Sequence, residues 1–226
     1  EYDVRDYRWL VEFGINRFGS LAALEAQLPT PASDEVLAAI PDDRYLSLLS
    51  LRVFRAGLKH SVVDAKWPAF EQAFFGFVPE KVVLMGADHI EKLMQNTALI
   101  RHLGKLRSVP INAQMIESIS RQHDGFGRWL AQWPVSDITG LWRYLAKHGN
   151  QLGGMSAPRF LRMAGKDTFL LTDDVVAALV AQGIVDKKPT SQKDLAAVQQ
   201  AFNTWQAQSG RPLCQISMML ALTSNH

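Results

Sequence analysis

Apolar residues recur along this chain at intervals of three and four, and no stretch alternates apolar with polar residues as a half-buried strand would. Residues 6–18 set Tyr7, Leu10, Val11 and Ile15 on one stripe, with Asp6 as its N-cap. Leu28-Pro29-Thr30-Pro31 closes the next short helix, because proline removes a backbone donor and pushes its predecessor out of the helical region. Pro41-Asp42-Asp43 then opens a long helix carrying Tyr45, Leu46, Leu48, Leu49, Val53, Phe54 and Leu58. So continuous an apolar surface predicts burial on most sides. The same period predicts helices over 61–75, 79–85, 87–96, 99–108, 111–120, 125–132 and 136–148, and beyond Gly149 over 157–164, 173–182, 191–208 and 213–222. Short connections rich in Gly, Pro, Asn and Ser join them.

These elements make an all-α protein, and composition narrows its class. The 226 residues, 25.2 kDa in all, suffice for one domain of ordinary size or two small lobes. A content of 47% hydrophobic and 20% charged residues, with mean hydropathy −0.05, describes a globular chain rather than a disordered or fibrous one. No apolar run approaches the ~18 residues that cross a bilayer, so no membrane partner is expected. The opening Glu1-Tyr2-Asp3-Val4-Arg5-Asp6 lacks the basic-then-apolar profile of a signal peptide. The single Cys214 leaves no disulfide framework and no multi-cysteine metal site, and the expected compartment is a reducing cytoplasm.

Charge adds one local feature. The net charge of +2 says little about partners, but residues 147–172 hold Lys147, Arg159, Arg162 and Lys166 against Asp167 alone. Such a surplus suits either a polyanion or a solvated helix face.

Within that stretch, Leu152-Gly153-Gly154-Met155-Ser156-Ala157 sits between two predicted helices. Glycines let another backbone approach closely, and the unpaired N–H groups at the start of the second helix attract an anion. Leu152 to Ser156 resembles the Leu-Pro-Gly-Val-Gly turn of the helix-hairpin-helix motif, with Ser156 in place of the last glycine. The segment Thr172-Asp173-Asp174-Val175-Val176 follows at the distance where the helix-hairpin-helix DNA glycosylase superfamily opens its next helix with an aspartate. Asp173 has Val176 and Leu179 at the expected apolar spacing, and Asp174 is the reserve. Either Thr172 or Asp173 also reads as a plain N-cap.

The N-terminal half resembles a narrower group, the type I 3-methyladenine DNA glycosylases. The matching stretches are Leu51-Arg52-Val53-Phe54-Arg55-Ala56-Gly57-Leu58, Phe70-Glu71-Gln72-Ala73-Phe74, Pro79-Glu80-Lys81-Val82, Ile90-Glu91-Lys92-Leu93 and Ile100-Arg101-His102-Leu103-Gly104-Lys105-Leu106. What this resemblance implies is two helical lobes flanking a cleft, with approximate bounds 42–135 for a central lobe and 1–41 plus 136–226 for a hairpin-containing one, in a single unit over 1–226. The implied activity is monofunctional base-excision repair: hydrolysis of the N-glycosidic bond of a flipped, alkylated purine such as 3-methyladenine. Double-stranded DNA with a damaged base is the implied partner, bound by a monomer associated with the nucleoid. Asp173 is the implied catalytic acid, and Leu152, Gly153, Gly154, Met155, Ser156, Ala157, Arg159 and Arg162 the implied phosphate grip. Arg52, Phe54, His60, Tyr45 and Trp67 are candidates for the base pocket, although Tyr45, Phe54 and Trp67 read first as core packing.

The chain departs from the type I pattern in ways that bear on chemistry. Arg52 stands where the family has a base-contacting glutamate, and His60 where it has a tryptophan. Arg52 then reads as a phosphate contact, a partner of Asp173 or Asp174, or half of an interhelical ion pair. The position of a family zinc histidine falls on Asp174, and His60, His89, His102, His123, His148 and His226 form no pair at helical ligand spacing. No zinc cofactor is therefore expected; a monovalent cation at the hairpin is compatible with the motif. Superfamily members that cut the DNA backbone carry a lysine six residues after the hairpin leucine. Here that residue is Pro158, which implies no lyase step. Two other classes stay open: a DNA-binding or lesion-sensing homologue without catalysis, and a helical interaction protein with no affinity for nucleic acid.

Overall fold

The structure, a computed structural model, describes residues 7–224. Asp6 as a cap, the opening residues and His226 lie outside them. Among the described residues the chain forms fourteen α-helices, two 3₁₀ turns and no strand, as the period of three and four predicts. They divide into two compact units: Ala32–Trp133 with Leu141–Lys166, and Glu1–Pro31 with Pro134–Gly140 and Asp167–His226.

The helices of the first unit gather around one buried helix. They are α3 (Asp34–Ala39), α4 (Asp42–Arg55), α5 (His60–Ala73), α6 (Pro79–Val82), α7 (Ala87–Leu93), α8 (Leu103–His123), α9 (Phe126–Gln132), most of α10 (Ile138–His148) and α11 (Ser156–Ala164). Helix α4 packs against α5, α6, α8, α9 and α11, which is why its apolar residues run round most of its surface. Its Phe54 meets Phe70 of α5 edge-on at 4.6 Å, and Trp67, Phe70, Phe74 and Phe77 continue as a column of near-parallel rings 4.7–6.3 Å apart. Phe77 sits at φ +58° in the 3₁₀ turn Phe75–Phe77, a backbone that swings the chain into α6.

A polar clasp closes the rim of this column. Arg44 donates to both oxygens of Glu71, Ser47 donates to Glu71 at 2.6 Å, and the Trp67 indole donates to Ser47 at 3.0 Å. Burial raises the Glu71 pKa, but the hydrogen bonds from Arg44 and Ser47 outweigh it and hold the carboxyl below its ordinary 4.5. A carboxylate lowered on folding contributes stability above its unfolded pKa and loses it as pH falls through the folded value. Wild-type protein is therefore expected to lose more stability than Glu71→Gln below about pH 4.5. Urea midpoints at neutral pH and at pH 3 check this; equal losses would remove Glu71 from the acid response.

The second unit is built from α1 (Tyr7–Phe18), α2 (Leu21–Glu25), α12 (Asp173–Ala181), α13 (Gln192–Ser209) and α14 (Leu213–Thr223). Helix α14 packs on α1, α12 and α13. Phe169 stacks flat on Phe202 at 4.2 Å and Trp205 meets Phe202 edge-on, all three fully buried or nearly so. Asp167 accepts the Leu213 and Cys214 N–H groups at 2.8 and 2.9 Å, so it caps α14, whose own N-cap is Pro212 and offers no side-chain acceptor. This ties the segment leading into α12 to the helix behind it.

Three expectations need correction. The helices predicted over 99–108 and 111–120 are one, α8, running straight through Pro110. The missing proline donor is outweighed by burial of Leu106, Val109, Ala113 and Ile116 against neighbouring helices. Helix α3, absent from the expected set, is capped by Ser33, whose hydroxyl accepts from the Val36 N–H. The hairpin does not group with the chain ends: residues 141–166 pack with 32–133, through α11 on α4 and Phe160 on Phe126.

Candidate functional site

The hairpin between α10 and α11 is held by two anchors of different kinds. Leu152 is buried, and the side chain of Asn112 on α8 makes a two-way clasp with Asn150: Oδ1 accepts the Asn150 N–H at 2.7 Å and Nδ2 donates to the Asn150 carbonyl at 3.1 Å. Asn112 is itself wholly buried and lies on the apolar stripe Val109, Ala113, Ile116. A polar residue at that register was the one sequence signal for this role. Gln151 takes φ +62°, an uncommon backbone for a residue with a side chain, and Gly154 takes φ +58°.

What these anchors present outward is backbone. Gly153 and Gly154 are exposed, with open space around the position of any added Cβ. Helix α11 begins at Ser156 after Met155, and no side chain caps it. The Ser156 N–H turns back to the Gly153 carbonyl at 3.1 Å, which closes the turn. An uncapped helix start beside bare glycines is the geometry that accepts an anion. Asn112→Ala leaves both Asn150 groups unpaired and is expected to cost about 1–3 kcal/mol of stability. Thermal unfolding measures the loss; an unchanged melting temperature would show that the clasp does not hold the hairpin.

The remaining residues of the predicted grip divide by burial. Ala157 and Pro158 are buried against the unit, Met155 and Ser156 are half-buried, and Arg159 and Arg162 are half-buried on α11. Lys166 is not part of a basic surface. It is 3% exposed, and its ammonium donates to the carbonyls of Ala131 and Trp133 at the end of α9. A cation there satisfies carbonyls that no helical N–H reaches.

Asp173 is the first residue of α12, and both Asp173 and Asp174 are exposed. The cap is Thr172, whose hydroxyl accepts from the Val175 N–H at 3.3 Å. Neither carboxylate is used by a hydrogen bond or ion pair among the described residues. Val175 and Leu179 are buried and Val176 is half-buried, so the helix is fixed while its first turn meets solvent.

The aromatic candidates for a base pocket are corrected by their burial. Tyr45 is fully buried, its hydroxyl donates to the Leu37 carbonyl at 2.6 Å, and its ring meets Phe126 at 5.0 Å. Burial, with Asp42 nearby, pushes the Tyr45 pKa far above its ordinary 10.0. Phe54 is also fully buried in the aromatic column. Both are core. Trp67 is half-buried and stacked on Phe70 and Phe77, and His60 is exposed at the start of α5.

Arg52 is the unusual group. It is 9% exposed, its Nε has no hydrogen-bond partner, and no carboxylate pairs with it among the described residues. Burial lowers its pKa, and the charges of Arg159 and Arg55 lower it further. Arg55 is bridged to Asp64, whereas buried Lys105 donates to the Phe54 and Ala56 carbonyls at 3.3 and 2.6 Å. Of the readings open for Arg52, an ion pair with a neighbouring helix of its own unit is not formed among the described residues. Among the described residues no group of three or more His, Cys, Asp or Glu is arranged to hold a metal ion, and no helix is long and apolar enough to cross a membrane.

Comparison with known proteins bears on this arrangement. The methyladenine glycosylase family model matches residues 37–150, half of the chain, from α3 to the end of α10. The chain belongs to the methyladenine glycosylase family. A DNA-3-methyladenine glycosylase of Haemophilus influenzae is 33% identical over 76 residues, which make up 34% of this chain and 41% of that protein. The chain thus matches less than half the length of this relative. The solved structure of 3-methyladenine DNA glycosylase I from Staphylococcus aureus, described for its recognition of 3-methyladenine, overlays with TM-score 0.51 at 24% identity. It covers 65% of this chain and 85% of the other. An 8-oxoguanine glycosylase/lyase of Methanocaldococcus jannaschii, solved with a 15mer DNA, overlays with TM-score 0.55 at 10% identity across 95% and 96% of the two chains. At these identities the structures establish a shared fold. The family match ends just before the hairpin, so Gly153, Gly154 and Asp173 lie outside it.

Proposed function

We propose that this methyladenine glycosylase family member is a monofunctional DNA glycosylase of base-excision repair. It hydrolyses the N-glycosidic bond of an alkylated purine flipped out of duplex DNA and leaves an abasic site. The observation that carries the reading is the Gly153–Gly154 turn, presented as bare backbone at the uncapped start of α11 by an anchor of buried Asn112 and Leu152. Such a turn holds a phosphate through N–H groups and leaves base sequence unread. Arg159 and Arg162 on the same helix add charge to that contact.

Asp173 takes the chemical role. Extruding a nucleotide costs a few kcal/mol of stacking and pairing. As the bond from the anomeric carbon to the base nitrogen breaks, positive charge grows on the sugar, and the Asp173 carboxylate stabilises it. Water then bonds to the anomeric carbon, and the carboxylate takes the proton that water sheds. Pro158, at the position of the superfamily lysine, offers no amine for a covalent intermediate, so the backbone stays intact. The reading needs no zinc, and it leaves room for a monovalent cation on the hairpin carbonyls.

The test is base release from duplexes carrying single alkylated purines, analysed with and without alkaline cleavage. Release followed by strand breakage only after alkali supports the proposal; breakage without alkali overturns the monofunctional part. A second reading, a DNA-binding homologue without catalysis, is favoured by the buried cations around Arg52, which repel a positively charged base. It expects duplex binding and no release from any lesion.

A further inference from the structure

We propose that Arg52, together with Arg159 and Lys105, forms an anion site that takes a phosphate group, held by side-chain cations where the hairpin turn offers backbone N–H groups. Three observations meet there. Arg52 is more than nine-tenths buried on α4 with its Nε unused. Helix α11, which carries Arg159, packs against α4, and the Lys105 ammonium of α8 donates to the Phe54 and Ala56 carbonyls two and four residues on from Arg52, so their charges bear on its guanidinium. No carboxylate among the described residues pairs with it.

An arginine in a protein does not shed its proton, so this charge is not relieved by neutralisation. Burying a cation beside other cations is costly, and removing such a group for an apolar one of similar size commonly stabilises a protein. A compensating anion must carry full charge and several acceptor oxygens to meet an Nε–Nη fork, a second guanidinium and an ammonium that already spends two donors on carbonyls. Phosphate has that geometry and charge. A neutral acceptor edge of a base does not offset the cations. The source is either a phosphodiester of nucleic acid or a free phosphate compound.

The experiment compares thermal unfolding of the full chain in chloride and in inorganic phosphate at matched ionic strength. The variants are Arg52→Met, Arg159→Gln and the control Arg121→Gln, an exposed residue of α8 that pairs with Glu117. Wild type and control are expected to gain about 2–4 °C at phosphate several times its Kd. Arg52→Met should unfold at a higher temperature than wild type in chloride and gain nothing from phosphate; Arg159→Gln should gain less than wild type. Equal phosphate gains in wild type, Arg52→Met and Arg159→Gln would overturn the site. The salt dependence of duplex binding then assigns the source. A slope about 1 smaller for Arg52→Met marks a DNA phosphodiester; an unchanged slope, with the phosphate gain of wild type still lost in Arg52→Met, marks a free phosphate compound. Neither readout requires base release, so the site stands or falls apart from the glycosylase reading.

Discussion

Asp173→Asn is expected to slow base release by about 10²–10³-fold while leaving duplex affinity and melting temperature close to wild type. The carboxylate is exposed and bonded to no neighbour, so the amide disturbs no existing contact. Helix α12 keeps its start because the cap is the Thr172 hydroxyl and not the aspartate. The only structural loss is one negative charge in the first turn, worth about 0.3–1 kcal/mol against the helix dipole. The chemical loss is larger, since an amide neither stabilises a positive sugar nor accepts a proton from water. Asp174→Asn, one position on, should stay within about threefold of wild type, because the two side chains leave the helix about 100° apart. Single-turnover release from one lesion-bearing duplex decides. Should both variants retain wild-type rates, neither acid is catalytic and the hydrolytic mechanism fails; should only Asp174→Asn lose activity, the role moves to that residue.

The second large effect is structural. Gly127→Ala is expected to destabilise the protein by about 3 kcal/mol and lower the melting temperature by roughly 6–12 °C. Helix α9 crosses α3 so closely that an added Cβ falls 2.2 Å from the Leu37 carbonyl oxygen and 2.9 Å from the Tyr45 ring. The near atom is backbone, so relief requires moving a helix and not rotating a side chain. That movement also breaks the Tyr45 hydroxyl bond to the same carbonyl, leaving a buried acceptor unpaired. Tyr45→Phe isolates this last component and should cost less than Gly127→Ala. Were the glycine variant to melt within about 2 °C of wild type, the α3–α9 contact would be looser than described.

Lys105, Lys166 and Asn112 do related work in this molecule. Each is a buried polar side chain spending its donors on backbone that secondary structure leaves unpaired: the end of α4, the end of α9 and the entry to the hairpin. Lys166 counts as surface charge when the chain is read as a line, and the three-dimensional accounting reverses that. Burial of Tyr45 and Phe54 likewise follows from the number of helices that surround α4, which its own pattern suggests but does not assign.

The all-helical class, the central burial of α4, the turn at Gly153–Gly154 and the helix opening at Thr172-Asp173 are local properties, decided by apolar spacing, caps and glycine, and they are legible residue by residue. The passage of α8 through Pro110, the grouping of the hairpin with residues 32–133 and the unpaired charge of Arg52 are not. Each depends on what a distant segment packs against that position: apolar neighbours that outweigh a lost hydrogen bond, an asparagine thirty-eight residues from its partner, cations gathered from three helices. Linear sequence carries the period of an element, but the balance among desolvation, packing and unpaired polar groups arises only once remote segments share one interior.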